Sequence, residues 1–405
     1  MIKIMDEKES EKNIDKILER GVLVEFLPTK EEFKERLISG EKLRFYMGFD
    51  PTAKSLHLGH AQGILALEDF RKLGHEVIFL IGDFTGMIGD PSDKSSARIR
   101  QTRKDVEENF KNWKEQVKNI AGFDDKENPF QIRYNSEWLG KLNFEEILNL
   151  ASNFTVQQML ERDMFKKRMK DERPIFLHEF LYPLMQGYDS VAMDVDVELC
   201  GTDQIFNALA GRTLMQKIKN KDKFVIATNL IADEKSGTLM SKSNNTGVFL
   251  DLSPNDLYGA IMSQTDGMIK PLFIGCTRVP LEKIEEYMKL DNPRDAKMKL
   301  AHEIVRIFHG KDEADKAQEN FVNTIQKKEI PEEAEEVKAE ENENILDFLA
   351  KAGLAESKGD ARRKIEQGGI KIEGKKVEDV NLTINKSLDG KIIQSGKKNF
   401  RKIVF

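Results

Sequence analysis

His57 and His60 stand three residues apart around Gly59, in the run Leu56-His57-Leu58-Gly59-His60. Just before them, residues 43–49 are short, apolar and aromatic, which predicts a buried strand. Asp50-Pro51-Thr52 ends that strand, because proline cannot continue a central ladder and restricts the residue before it. From 58 to 73 the apolar residues Leu58, Ala61, Leu65, Leu67, Phe70 and Leu73 recur at near-helical spacing, interrupted by Gly63. The histidines are therefore expected where a strand hands over to a helix. A helix start offers unpaired N–H groups and the positive end of a dipole, a setting for an anion. Gly59 would let another group approach the backbone closely. The dipole should favour neutral rings, each still able to donate one hydrogen bond, for instance to a phosphate. The pattern differs from the glycine-rich dinucleotide loop, and it also fits a plain helix cap with one packed imidazole.

The elements that must position these rings follow from the same periodicities. Residues 76–83 form a continuous apolar run, as in a parallel strand covered on both faces, and complete a βαβ unit. A loop rich in Gly, Ser and Asp spans 85–96, at the carboxyl end of that strand where open α/β sheets bind ligands. Helices are expected over 102–121, 144–170 and 174–188, a strand over 194–200 followed by Gly201-Thr202-Asp203-Gln204, a helix to about 218 and a last strand over 224–231. Residues 1–42 read as helical and polar. Such alternation predicts a doubly wound, Rossmann-like α/β domain with a parallel sheet. After 245 the pattern is helical only, over 254–328. Residues 329–343 are acidic, contain Pro331 and read as an extended linker. Beyond them, helices over 345–354 and 358–366, a strand near 368–372 and a hairpin over 390–405 make a small α+β unit.

The chain has 405 residues and a net charge of −6, divided unevenly: residues 345–405 carry +6 and the rest −12. A basic tail on an acidic body suggests a local anionic partner. No apolar run approaches ~20 residues, so no membrane helix is expected, and the charged residues 1–19 do not form a secretory signal. Cys200 and Cys276 lack any zinc-type spacing and read as reduced thiols of a cytoplasmic protein.

Far downstream of the histidines lies Thr238-Leu239-Met240-Ser241-Lys242-Ser243. Together the two segments resemble the paired signatures of class I aminoacyl-tRNA synthetases, and their flanks resemble the bacterial tyrosyl-tRNA synthetase family from about Leu43 onward. Ala361-Arg362-Arg363-Lys364-Ile365 with Gln367-Gly368-Gly369-Ile370 resembles the S4 RNA-binding domain. The resemblance implies a catalytic domain over 1–235, an α-helical anticodon-binding domain with the second signature over 236–328, the linker over 329–343 and the S4-like domain over 344–405. It also implies ATP as a substrate with Mg²⁺, L-tyrosine and tRNA(Tyr) as partners, a homodimer, and no resident metal ion.

The implied chemistry is attack of a carboxylate on the α-phosphorus of ATP, with pyrophosphate leaving. The nucleophile is already ionised, so the demand is alignment and stabilisation of growing phosphate charge, not a general base. By resemblance that task falls to His57, His60 and Thr52, to Lys94 and Arg98 in Gly89-Asp90-Pro91-Ser92-x-Lys94-x-x-x-Arg98, and to Lys242. Gly59, Asp50 and Asp203 are implied around the adenylate, with Asp203 at the ribose. Tyr182-x-x-x-Gln186-x-x-Asp189 places three polar side chains on one helix face. The resemblance assigns Tyr182, Gln186 and Asp90 to the α-amino group, Gln204 to the carboxylate, Tyr46 and Asp189 to the phenol, and Asn135 to the network behind Asp189. Arg362, Arg363 and Lys364 are implied in RNA binding through phosphates and shape.

One position departs from the family pattern: the lysine that opens the second signature is Leu239, leaving Lys242 as its sole lysine, with Lys235 as a partial substitute nearby. A synthetase scaffold that binds RNA without catalysis would fit this change, and a nucleotidyltransferase would share His-x-Gly-His; the complete tyrosine pocket opposes the first, and that pocket with the basic tail the second. Replacing Lys242 by Ala is expected to lower the rate of amino-acid activation steeply with little effect on amino-acid affinity. Single-turnover kinetics check this, and a mild rate effect would contradict it.

Overall fold

A computed structural model describes residues 7–91, 101–240, 246–323, 334–396 and 399–405. The chain divides into two compact units, Met1–Lys311 and Asp312–Phe405.

The first unit is built on a six-stranded sheet of β1 (Leu23–Leu27), β2 (Arg44–Phe49), β3 (Glu76–Ile81), β4 (Gln131–Tyr134), β5 (Val197–Gly201) and β6 (Phe224–Thr228). Their order is β1-β6-β5-β2-β3-β4, with β1 antiparallel to β6 and every other pair parallel. The chain runs outward from β2 to β3 and β4, then returns to the other side for β5 and β6. The strand order thus reverses between β2 and β5, and a crevice at such a switch point is where doubly wound sheets bind ligands. The central strands are apolar because both faces are covered: Phe45, Val77, Ile78, Phe79, Val197, Leu199, Val225 and Ile226 are buried.

The strand β2, the helix Leu58–Lys72 and β3 form the expected βαβ unit. That helix is braced from its far side by the all-helical part of the unit, Pro254–Met262, Ile269–Cys276, Leu281–Met288 and Pro293–His309. Arg278 pairs with Asp69 of the helix at 2.6 Å. Arg20 donates to the carbonyls of Phe273, Ile274, Thr277 and Val279 at 2.7–3.1 Å, satisfying the carboxyl end of Ile269–Cys276.

Several sequence expectations need correcting. Residues 1–42 are not all helix: Glu7–Leu18 and Lys30–Ile38 are helical, but β1 lies between them. It is five residues long and exists by pairing with β6 some 200 residues away, which local periodicity cannot register. The half-buried edge strand β4 escaped notice for the same reason. The expected helix over 144–170 is three helices, Phe144–Ala151, Val156–Leu160 and Asp163–Lys170. Asn143 with Glu146, and Thr155 with Gln158, form capping boxes that start the first two of these anew. The helix expected over 174–188 runs as Leu177–Met193 and ends on Asp194 in the left-handed conformation, with φ 51°.

In the second unit, the strands Lys375–Lys376, Ile370–Ile372, Ile392–Ser395, Asn399–Val404 and Glu336–Lys338 form one sheet in that order. The last of these lies within the stretch read as a linker and runs parallel to Asn399–Val404. The helices Ile345–Lys351 and Lys358–Glu366 close a core of Ile345, Phe348, Leu349, Ile365, Ile370, Ile393 and Ile403.

Candidate active site

The segment that follows the second signature runs beside the first. Leu58 N–H donates to Val248 O at 3.0 Å and Leu250 N–H to Leu56 O at 2.9 Å, with His57 and Phe249 opposite each other. His57 is the N-cap of the helix Leu58–Lys72, with extended backbone, and its Nδ1 accepts from Gly59 N–H at 3.1 Å. His60 reaches back, its Nδ1 accepting from His57 N–H at 3.0 Å. The rings lie 3.8 Å apart, centroid to centroid. A side chain at position 59 would run into the His57 ring, 2.8 Å from its Cε1, so only glycine fits between them.

Both Nδ1 atoms accept, so in the neutral rings the proton sits on Nε2. Burial pushes His57 down to about 4, and burial together with His57 pushes His60 well below the usual histidine range. Neutrality comes from burial where the sequence suggested the helix dipole. The capping and anion-binding readings are compatible: Nδ1 serves the helix, and Nε2–H remains as a neutral donor. Thr52 is exposed in the turn before this cap, its N–H bonded to Asp50 O at 2.8 Å.

A polar network spans the carboxyl ends of β2, β3 and β4 and the helix Leu177–Met193. Asp50 follows β2; its carboxylate accepts from Tyr182 OH at 2.8 Å and Thr85 Oγ1 at 2.6 Å. Asn135, fully buried after β4, accepts from Phe84 N–H at 2.9 Å and donates to Thr85 Oγ1 at 2.9 Å and Asp189 Oδ2 at 3.3 Å. The other oxygen of Asp189 accepts from Trp138 Nε1–H at 2.7 Å. Burial pushes the Asp189 carboxyl well above its usual range, against the pull of these two donors. At the end of β5, Gln204 donates to Asp90 at 2.6 Å and to Asp203 at 3.3 Å, while Asn207 holds its amide oxygen at 2.9 Å.

Two family profiles account for nearly all of the sequence: "tRNA synthetases class I (W and Y)" over residues 39–326, and "Tyrosine–tRNA ligase SYY-like C-terminal domain" over 324–403. The chain is 43% identical over 394 residues to the tyrosine–tRNA ligase of Thermotoga maritima, covering 96% of each chain. It is 44% identical over 391 residues to that of Photobacterium profundum, covering 95% of this chain and 97% of the relative. The chain belongs to the class I tyrosyl-tRNA synthetase family. In fold it is similar to a C-terminally truncated mitochondrial tyrosyl-tRNA synthetase of Aspergillus nidulans, with a TM-score of 0.65 and 24% identity over 78% of this chain and 98% of that one.

Class I synthetases of this family take ATP as a substrate. The structure brings His57, Gly59 and His60 together, joins Asp50 to Tyr182, Asp90 to Gln204 and Asp203, and Asn135 to Asp189. Tyr46 is buried, and its hydroxyl meets Ser190 Oγ at 2.9 Å, not the Asp189 carboxylate. Gln186 donates to Glu198 at 2.9 Å. Lys94, Arg98 and Lys242 lie outside the described residues. Lys235 is exposed in the turn before Leu239. In the second unit Arg362 and Arg363 are exposed on the helix Lys358–Glu366, whereas the Lys364 ammonium meets Asp360 at 2.9 Å and Leu354 O at 3.1 Å.

Sequence reasoning missed Thr85, Trp138, Ser190, Glu198 and Lys223. Glu198 carried a signal: it is a charge inside the otherwise apolar run Val197-Glu198-Leu199-Cys200. Because both signature histidines stay neutral, the pH profile of adenylate formation between pH 6 and 9 should lack a histidine limb. A limb near pH 6.5 that disappears in His57→Asn would contradict the neutral-donor assignment.

Proposed function

We propose that the chain is a tyrosine–tRNA ligase, which joins L-tyrosine to ATP as tyrosyl-adenylate, releases pyrophosphate and passes tyrosine to the 3′ end of tRNA(Tyr). The observation that carries this reading is the adjacency, at the switch point between β2 and β5, of a helix start with two neutral imidazole donors and a buried group of Tyr46, Tyr182 and Asp189, with Gln186 one turn along the same helix from Tyr182.

In this reading the Nε2–H groups of His57 and His60 donate to the phosphates, where added charge on the pentavalent phosphorus strengthens them. Neutral donors hold this charge without neutralising the carboxylate nucleophile. Thr52, Lys94, Arg98 and Lys242 add donors, and side chains that close late favour the transition state over ATP. Gly59 leaves room for adenine or ribose, Asp203 takes the ribose hydroxyls and Asp50 stands near the adenylate. Tyr182, Gln186 and Asp90 receive the α-ammonium, and Gln204 stands at the carboxylate. Tyr46 and Asp189 read the phenol, with Asn135 and Trp138 fixing the Asp189 carboxyl. Mg²⁺ enters with ATP as the counter-ion of its phosphates.

The helices after 245 and the C-terminal unit, through Arg362, Arg363 and Lys364, would meet the anticodon and variable arms of the tRNA. Among the described residues no helix is long and apolar enough to cross a membrane. The proposed setting is the cytoplasm, in keeping with two cysteines that form no disulfide. The proposed assembly is a homodimer. Its support is the exposure of Phe144, Leu148, Val156, Met169, Phe176 and Leu177 within one stretch of the first unit.

Exchange of pyrophosphate into ATP, assayed with each of the twenty amino acids, should respond to tyrosine alone. Asp189→Ala should remove most activity together with discrimination against phenylalanine, an effect of about 10⁵-fold for which this family is itself the reference case. Retained selectivity in that variant would place hydroxyl recognition elsewhere. Sedimentation should give twice the 46.4 kDa chain mass, and Phe144→Asp combined with Leu177→Asp should yield monomer. A wild-type monomer would exclude the dimer.

A further inference from the structure

Lys223 and Glu198 are among the least accessible charged residues of the chain, at 0% and 1% exposure. They form an ion pair, Lys223 Nζ to Glu198 Oε2. Burying such a pair stabilises a fold little or not at all compared with apolar side chains of the same volume. Space is nevertheless made for it. Helices Leu177–Met193 and Ile205–Leu214 meet through Gly187 and Gly211, and a side chain at 211 would strike Lys223 Nζ and Ser190 Oγ. A Cβ at 187 would lie 3.0 Å from Gly211 N.

We infer that Lys223 and Glu198 are positioning residues for tyrosine selection, setting which atoms of Tyr46 and Gln186 donate and which accept. The inference rests on the roles proposed above for those two side chains. Lysine has three donors and no acceptor, and all three are engaged, with Glu198 Oε2, Ser190 Oγ at 2.9 Å and Ala208 O at 3.0 Å. Ser190 Oγ therefore accepts from Lys223, and its own proton has two destinations: Tyr46 Oη at 2.9 Å or Glu198 Oε2 at 3.4 Å. Either hydroxyl can donate in the 2.9 Å contact; with Ser190 as its donor, Tyr46 is the acceptor. The Tyr46 proton then lies between two acceptors, Glu198, with which Tyr46 also hydrogen-bonds, and the phenol oxygen of the substrate.

At the other end, Glu198 Oε1 is an acceptor that takes Gln186 Nε2–H at 2.9 Å. An amide whose nitrogen faces a carboxylate keeps its oxygen for another donor, here the α-ammonium of the amino acid. One buried pair thus bears on both ends of the proposed tyrosine site: on the donor for the phenol at Tyr46 and on the acceptor for the amine at Gln186.

The test is pyrophosphate exchange with tyrosine and phenylalanine in four variants: Ser190→Ala, Lys223→Met, Glu198→Gln and the double variant Lys223→Met/Glu198→Gln, which leaves no lone buried charge. Ser190→Ala and Lys223→Met should lower the tyrosine-to-phenylalanine ratio of kcat/KM about 10- to 100-fold. Glu198→Gln should raise the KM for tyrosine about tenfold, and the KM for ATP should hold within about twofold in all four. The double variant should recover thermal stability relative to the single charge variants without recovering selection. Where the charge variants do not fold, Ser190→Ala, which keeps the pair, decides. Wild-type selection and tyrosine KM in Ser190→Ala and in the double variant, with only Tm altered, would overturn the inference alone. Absence of tyrosine-dependent exchange in the wild-type protein would overturn the functional reading and this inference with it.

Discussion

The Nδ1 atoms of His57 and His60 accept backbone N–H groups at the start of one helix, and the rest of the site depends on that arrangement. It fixes the tautomer, keeps both rings in contact at the carboxyl end of β2 and leaves Nε2–H as the side available to a ligand. A protonated imidazole could not accept at Nδ1, so protonation would break the cap. In the proposed function, helix initiation and nucleotide binding are in this way coupled through the same two side chains.

The surrounding fold holds this start in place from several directions. The 248–250 segment pairs with Leu56 and Leu58, Arg278 grips Asp69 further along the same helix, and Arg20 caps the helix packed beside it. Beside this start, Asp50, Thr85, Asn135, Trp138 and Asp189 form one continuous polar chain across three strand ends and a helix. Rigid placement of this kind is what alignment of two reactants requires, since the reaction needs geometry and charge stabilisation more than proton transfer.

Much of this was legible in the sequence. The βαβ unit around the histidines, the parallel sheet and the helix face carrying Tyr182, Gln186 and Asp189 follow from periodicity and from Pro51. The edge strands β1 and β4 were not legible, because each is short and owes its existence to a distant partner. The first break in 144–170 was written in the capping residue Thr155, whose signal the helical periodicity masked. The Ser190, Glu198 and Lys223 network was beyond reach, since it joins a helix, a strand and the residue that precedes another strand, whose proximity only the fold creates. A glutamate inside an apolar strand was the one trace it left.

The most direct measurement is a crystal structure of the protein with L-tyrosine and an ATP analogue carrying a methylene bridge between the α- and β-phosphorus atoms, which cannot react. The coupling of cap and site requires phosphate oxygens within about 3.2 Å of the Nε2 atoms of His57 and His60. It also requires the phenol oxygen between Tyr46 Oη and the Asp189 carboxyl, with both Nδ1 bonds intact. Phosphates held elsewhere, or either ring rotated off its backbone donor to reach them, would contradict it.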